Sequence, residues 1–278
     1  VGSRSTRRTW ILAGVTAAIV ALCGCSSSSG TAPAPTFDAG STPAPAPAHW
    51  AYDGEEGPDH WAELSADYET CEAGTEQSPI DLRVADTTLS DVLELEYGTV
   101  TEHVTDTGHT FQLNADADTG LSYQGVDYSL VQMHFHDPSE HTIDGVASPV
   151  EFHFLNADDA GNLLVVSVLA REGAHNPHYE AFIDATTSRA SNDVTGEVDL
   201  AAMLPDSLQH FAYSGSLTTP PCTEGVQWIV MNTPVELDSA QIAELQGAYA
   251  HNNRPTQPVG DRTVGYAGTE NDPSGDQR

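Results

Sequence analysis

Between Tyr128 and His136, and again between Pro149 and Leu155, polar and apolar side chains alternate with a period of two. That is the repeat of a pleated strand and not of a helix. In Gln132-Met133-His134-Phe135-His136 the alternation places Gln132, His134 and His136 on one face, with Met133 and Phe135 on the other. In Val150-Glu151-Phe152-His153-Phe154-Leu155 it sets Glu151, His153 and Leu155 against Phe152 and Phe154. Paired as antiparallel neighbours, the two runs bring a third imidazole up to the first two. Three neutral imidazoles around one point, with a fourth position open, describe a catalytic zinc site; closed structural sites usually use cysteine, and none lies near this stretch. The competing reading is three ordinary half-buried strand histidines.

Further strand-like runs are Leu93 to Tyr97, Val100 to Thr105, Thr110 to Leu113, Leu121 to Tyr123 and Gln227 to Met231, separated by Gly, Asp and Asn turns. Leu163 to Ala170 is continuously apolar and reads as a strand buried on both faces. Asn176-Pro177 opens a short helix reaching Thr186, and Val198 to Leu204 reads as another helical turn. Asp238 to Ala248 is the clearest helix, with Asp238 as cap and Gln241 three residues on. His49 to Arg83 is loop-like and Asn252 to Gly265 extended coil. The expectation is one mainly β domain over 49–267 with a few short helices, no internal repeat and a disordered tail over 268–278.

The N-terminus reads as an export signal over 1–25. Arg4, Arg7 and Arg8 precede an apolar run from Trp10 to Leu22, and Arg7-Arg8 resembles a twin-arginine signal. Leu22-Cys23-Gly24-Cys25 resembles a lipobox that would make Cys25 the lipid-bearing residue, against a plain secretory peptide or an uncleaved anchor. Residues 26–48, rich in Ser, Ala and Pro, read as a tether. The protein is thus expected in the cell envelope, lipid-anchored to the membrane, or else periplasmic or secreted. Cys71 and Cys222 are either a disulfide, the simplest state of an even pair in an exported protein, or two buried thiols. A bridge closing so long a loop would contribute about 4 to 5 kcal/mol.

The charge balance is −32, from 41 acidic residues against nine arginines and no lysine. Such a surface repels phosphate backbones and excludes nucleic acid as a partner. Molar salt, with a Debye length of about 3 Å, screens the self-repulsion, so the composition suits a halophilic host. The scattered acids form no Ca²⁺-loop pattern. The sequence carries no signal for oligomeric state.

Several short stretches occur in the order found in one family: His49-Trp50-x-Tyr52, Gln77-Ser78-Pro79-Ile80, Gly108-His109, Gln132 to His136, Ser139-Glu140-His141, Glu151-Phe152-His153, Ser216 to Pro221 and Asn253-Arg254-Pro255. From His49 to about Gly265 the chain resembles the α-class carbonic anhydrases. The resemblance implies a large, twisted, mostly antiparallel central sheet with the metal in a conical cleft. It implies zinc-dependent, reversible hydration of CO₂ to bicarbonate and a proton through zinc-bound hydroxide, with CO₂ and bicarbonate as the small-molecule partners.

By the same resemblance His134, His136 and His153 are the Zn²⁺ ligands. Gln132, Glu151 and the Asn252 carbonyl orient them. Thr218 donates to Glu140 and aims the nucleophile, and His109 shuttles the proton. Leu155, Val165, Leu217 and Trp228 form the apolar CO₂ wall, and Thr219 contacts substrate. Tyr52, Gln112 and Thr107 belong to the proton network, Thr107 standing where Asn is usual. Cys71 and Cys222 match the disulfide of exported members. His60 and His49 are not ligand candidates. A different class, a carbonic-anhydrase-like adhesion module without catalysis, would be marked by loss of a zinc histidine, and all three are present. Co²⁺, Fe²⁺ or Cd²⁺ would suit the same ligands.

Overall fold

A computed structural model of the chain describes residues 47–83, 87–90, 93–101, 103–115, 119–187 and 196–268. The signal with Cys25, nearly all of the tether and residues 269–278 of the tail lie outside them. Among the described residues no helix is long and apolar enough to cross a membrane.

Among the described residues twelve strands form one sheet: β1 (Thr87–Thr88), β2 (Leu93–Glu96), β3 (Val104–Asp106), β4 (Phe111–Asn114), β5 (Gly120–Tyr123), β6 (Val126–His136), β7 (Val150–Ala157), β8 (Leu163–Glu172), β9 (His210–Ser216), β10 (Glu224–Met231), β11 (Val235–Leu237) and β12 (Gly265–Ala267). The path across it runs β1-β12-β9-β10-β8-β7-β6-β4-β3, with β11 on β8 and β5 joining β2 to β6. Most neighbours are antiparallel. β8 pairs in parallel with β10 and β11, as does β12 with β1, so the sheet is mixed.

The predicted alternation positions both cores. Met133, Phe135, Phe152 and Phe154 point to one side, where they meet Phe182 and Ile183 of one helix (Glu180–Thr187) and Ile242 and Leu245 of another (Ser239–Ala248). Each buried Phe of this layer contributes about 1.5 to 3 kcal/mol. The opposite face carries the histidines and a second apolar cluster containing Val165, Trp228, Tyr213 and Val226, with Leu155 and Leu217 packed against it. Gly215 is required there, because a Cβ would sit 2.1 Å from Ser78 Oγ and 2.9 Å from Trp228 Cδ1. The Ser239–Ala248 helix starts in the capping box expected of Asp238 and Gln241.

Four local expectations differ. Val100 to Thr105 is two strands: Thr99–Thr101 pairs with Glu197–Asp199 outside the main sheet, whereas β3 pairs with β4. The first half of the expected helical turn at Val198 is that partner strand, followed by a 3₁₀ turn at Ala201–Met203. The His49 to Arg83 segment holds two one-turn helices, Trp61–Leu64 and Thr70–Ala73. β9 has no predicted counterpart; it is buried almost throughout, and its small residues show no alternation.

Candidate metal centre

Register between β6 and β7 sets the site. His153 lies opposite His134, Glu151 opposite His136 and Leu155 opposite Gln132, with a bulge just beyond. One donor nitrogen from each of His134, His136 and His153 falls within 4.8 Å of the other two. His134 Nε2 and His136 Nε2 are 3.1 Å apart.

Each ring is oriented by an acceptor on its far side. Gln132 Oε1 lies 2.8 Å from His134 Nδ1, the Asn252 carbonyl 2.6 Å from His136 Nδ1, and Glu151 Oε1 2.7 Å from His153 Nε2. These oxygens only accept, so each takes the ring N–H and leaves the other nitrogen's lone pair directed inward. The inward set is therefore Nε2, Nε2 and Nδ1. Burial holds all three imidazoles below the ordinary histidine range, His136 at about 4 and His134 well below the usual value. They are neutral at pH 7, as metal ligation needs.

Glu151 is the anchor. Its Oε1 accepts from His141 Nδ1 at 2.6 Å, His153 Nε2 at 2.7 Å and Ser167 Oγ at 2.6 Å. Its Oε2 accepts the Glu140 and His141 amides at 2.7 and 2.8 Å. Against the penalty of burial, His141, His153 and these bonds keep its carboxyl well below the usual range.

Glu140 Oε1 accepts the Arg254 amide at 2.8 Å. Its Oε2 is buried without a hydrogen-bond partner, 3.5 Å from His136 Nε2 and 3.9 Å from His153 Nδ1. Burial pushes Glu140 up to about 7, and the nearby Thr218 hydroxyl pulls against that rise. Thr218 is buried in the β9–β10 connection, where the Cys222 amide closes a turn on the Thr219 carbonyl at 2.9 Å. Thr219 itself is half-buried. The Cys71–Cys222 disulfide pins this connection to the Thr70–Ala73 helix.

The apolar wall follows from the same face. Leu155 continues the His153 face of β7, Val165 pairs with it from β8, and Trp228 pairs with Val165 from β10. The Trp228 ring stands edge-on to His153 at 4.9 Å and donates Nε1 to the Ser216 carbonyl at 2.9 Å. Leu217 joins the same cluster.

Half-buried His109 stacks on Trp50 with centroids 3.7 Å apart and planes 9° from parallel. Burial first, and then His49, holds His109 below the ordinary value. Tyr52 presents its edge to His109 at 6.3 Å, and burial with the Glu140 charge lifts its hydroxyl well above the usual range. Gln112 pairs with His134 across β4 and β6 and donates to Asn114 Oδ1 at 2.6 Å. Thr107 is the expected network member that the structure does not bring in. Its hydroxyl donates to the Thr110 carbonyl at 2.8 Å and accepts the His109 and Thr110 amides at 3.3 and 3.1 Å, so the turn uses its whole hydrogen-bonding capacity.

Three neutral nitrogen donors, a buried carboxylate oxygen without a partner beside them and acceptors behind every ring fit a divalent ion such as Zn²⁺. The family model for eukaryotic-type carbonic anhydrase matches residues 56–268. This chain belongs to the carbonic anhydrase family. The carbonic anhydrase of Pectobacterium carotovorum is 39% identical over 219 residues, 78% of this chain and 90% of that protein. The Nostoc carbonic anhydrase is 39% identical over 224 residues, 78% and 85% of the respective chains. The solved α-carbonic anhydrase of Thermovibrio ammonificans, in complex with the inhibitor sulfanilamide, superposes with a TM-score of 0.75 at 36% identity, covering 79% of this chain and all of that one. The protein is a carbonic anhydrase on its family and fold, and both support hydration of CO₂.

Two contributors carry no signal in the strand alternation. Arg254, almost fully buried, donates to Gln77 Oε1, the Ser78 carbonyl and the Cys71 carbonyl while its own amide holds Glu140. Its place in the Asn-Arg-Pro stretch of a chain so poor in basic residues was the available clue. Tyr213, whose hydroxyl sits 2.7 Å from His141 Nε2, lies on the unpredicted β9.

Proposed function

We propose that the chain is a zinc enzyme for the reversible hydration of CO₂, with His134, His136 and His153 holding the ion and His109 carrying protons away. The observation that supports this most is the convergence of three neutral ring nitrogens, each backed by an acceptor, next to Glu140 and Thr218. When bound, Zn²⁺ would supply the Lewis acidity that brings the pKa of a water near 7, an effect for which carbonic anhydrase is the standard example.

The chain's own residues do the rest. Thr218 has one hydroxyl proton; given to Glu140, it leaves the oxygen able only to accept, which orients the attacking oxygen toward carbon. CO₂ is uncharged and weakly hydrogen-bonding, so the wall of Leu155, Val165, Leu217 and Trp228 suits it and disfavours water. Thr219 borders the substrate. Gln132, Glu151 and the Asn252 carbonyl keep the histidine tautomers fixed. Tyr52 and Gln112 flank the route to His109, and Thr107 shapes the turn that presents it.

The same reading takes 1–25 as an export signal, Cys25 as the lipid-bearing residue, 26–48 as the tether and 49–267 as the catalytic domain of an envelope protein in a salty medium. Arg7-Arg8, the Leu22 to Cys25 stretch, the Cys71–Cys222 bridge and the −32 charge support it. Stopped-flow CO₂ hydration with and without a chelator tests the activity. Turnover abolished by chelation and restored by zinc is expected; turnover indifferent to chelation defeats the proposal.

A further inference from the structure

The turn that carries His109 joins β3 to β4, and among the described residues β3 pairs only with β4, so this hairpin closes one edge of the sheet. Within the turn, Asp106 Oδ1 accepts the Gly108 amide at 2.9 Å, and Gly108 reverses the chain at φ +84°, in the left-handed region. These internal bonds give the turn its shape. They do not fix where it lies relative to the metal ligands.

Two ties from outside do that, and both come from the chain just beyond the Ser239–Ala248 helix. Tyr249 ends the helix by donating its amide to the Leu245 carbonyl at 3.0 Å, and its ring stands edge-on to Phe111 with centroids 5.5 Å apart. Phe111 lies opposite Asp106 in the β3–β4 pair, so the Tyr249 hydroxyl reaches the Asp106 carboxylate and donates to Oδ1, the same oxygen that holds Gly108. Further along, the buried Asn252 side chain donates Nδ2 to the carbonyls of His109 and Phe135 at 3.0 and 3.1 Å and accepts the Asp137 amide on Oδ1 at 2.8 Å. Its main-chain carbonyl is the one that takes the Nδ1–H of His136. The segment 249–252 thus grips the His109 turn on one side and a metal-ligating ring on the other.

We propose that Tyr249 is a positioning residue for proton transfer: its bond to Asp106 holds the His109 turn at a fixed reach from the metal centre, with the Asn252 side chain as the inner tie. The proposal rests on the reading of His109 as proton acceptor. Proton transfer depends on each link of a hydrogen-bonded path lying where the next can meet it, so the placement of the turn limits the rate that His109 can support. Packing against Phe111 is the work of the Tyr249 ring and would be met equally by a phenyl group; the hydroxyl adds the bond to Asp106. That bond joins two side chains away from the metal-ligating rings, so it can be removed without touching them.

The test is stopped-flow CO₂ hydration by the zinc-loaded full chain in dilute buffer, beside amide exchange followed by NMR. Tyr249→Phe keeps the ring on Phe111 and removes only the hydroxyl. Its kcat is expected to fall about threefold, less than the roughly 10²-fold of losing an acid–base group outright, because the Asn252 tie remains. With kcat/KM unchanged and kcat restored by concentrated imidazole, the defect is one of proton transfer and not of folding. Exchange of the Gly108 amide should quicken by about 3- to 10-fold, since the carboxylate that accepts it is no longer held from outside. In an Asp106→Ala background Tyr249→Phe should cost nothing more. Unchanged kcat in Tyr249→Phe, a parallel fall in kcat/KM, or a full additional loss in the Asp106→Ala background overturns the proposal. His109→Ala separates it from the reading beneath it. If that variant keeps full kcat, the acceptor reading fails and the role of Tyr249 in transfer falls with it, even where Gly108 exchange shows the turn to be braced; if it lowers kcat while Tyr249→Phe does not, only the positioning role fails.

Discussion

Replacing Glu151 with Gln changes one oxygen for an NH₂ group and almost no volume, yet the surroundings cannot accept it. Oε1 receives three donors, from His141, His153 and Ser167, and Oε2 receives the Glu140 and His141 amides. A carboxamide offers one accepting oxygen. With that oxygen at the Oε1 site, the NH₂ confronts two backbone N–H groups; flipped, it confronts the other three donors. At least two buried donors lose their partner, at about 1 to 3 kcal/mol each, so Glu151→Gln should destabilise the fold by about 2 to 6 kcal/mol. His153 also loses the carboxylate that fixes its tautomer, which should weaken metal binding by about 10- to 100-fold. Urea denaturation of the metal-free protein and chelator competition on the loaded protein measure the two separately. A variant within about 0.5 kcal/mol of the parent and equal to it in metal affinity would refute the role assigned to Glu151.

Other consequences are open to direct measurement. Thr218→Val removes the hydroxyl proposed to donate to the Glu140 carboxylate, so kcat/KM for CO₂ should fall by roughly 10- to 100-fold with the fold intact; activity within twofold of the parent would contradict the orienting role. His109 sits below the ordinary value of 6.5 because of burial and then His49, so it stays neutral and able to accept a proton at pH values where a free histidine is already charged. An NMR titration should place its midpoint under 6.5, and a midpoint above that value would contradict the stacked, half-buried placement on Trp50. Self-repulsion from a net charge of −32 should make the melting temperature rise between dilute buffer and molar KCl, where the Debye length shrinks to about 3 Å; a flat response would remove the halophilic reading.

The part of the site that lies on β6 and β7 was legible because a strand encodes faces in its sequence. A period of two fixes which side chains share a side, and antiparallel pairing then brings His153 beside His134 without further information. The apolar alternates Met133, Phe135, Phe152 and Phe154 were assigned to the opposite core by the same rule. What was not legible depends on contacts between distant segments. The small residues of β9 read as a strand only once its neighbours β10 and β12 pair with it. Val100 to Thr105 looks continuous, but its two halves serve different partners, Glu197–Asp199 and β4. Arg254 gains its importance from reaching Cys71, Gln77 and Ser78 at once, and no local pattern announces that. Thr107, expected in the proton network, has a hydroxyl that also bonds within its own turn, which no spacing in the sequence announces.

The central claim is that His134, His136 and His153 together hold one divalent ion on which turnover depends. Metal analysis by mass spectrometry of protein purified without added zinc, run beside the CO₂ hydration assay, tests it directly. The account predicts one zinc per chain, lost in step with activity on chelation and absent from the His153→Ala variant. Full activity in metal-free protein, or stoichiometric zinc retained after all three histidines are replaced, would contradict it.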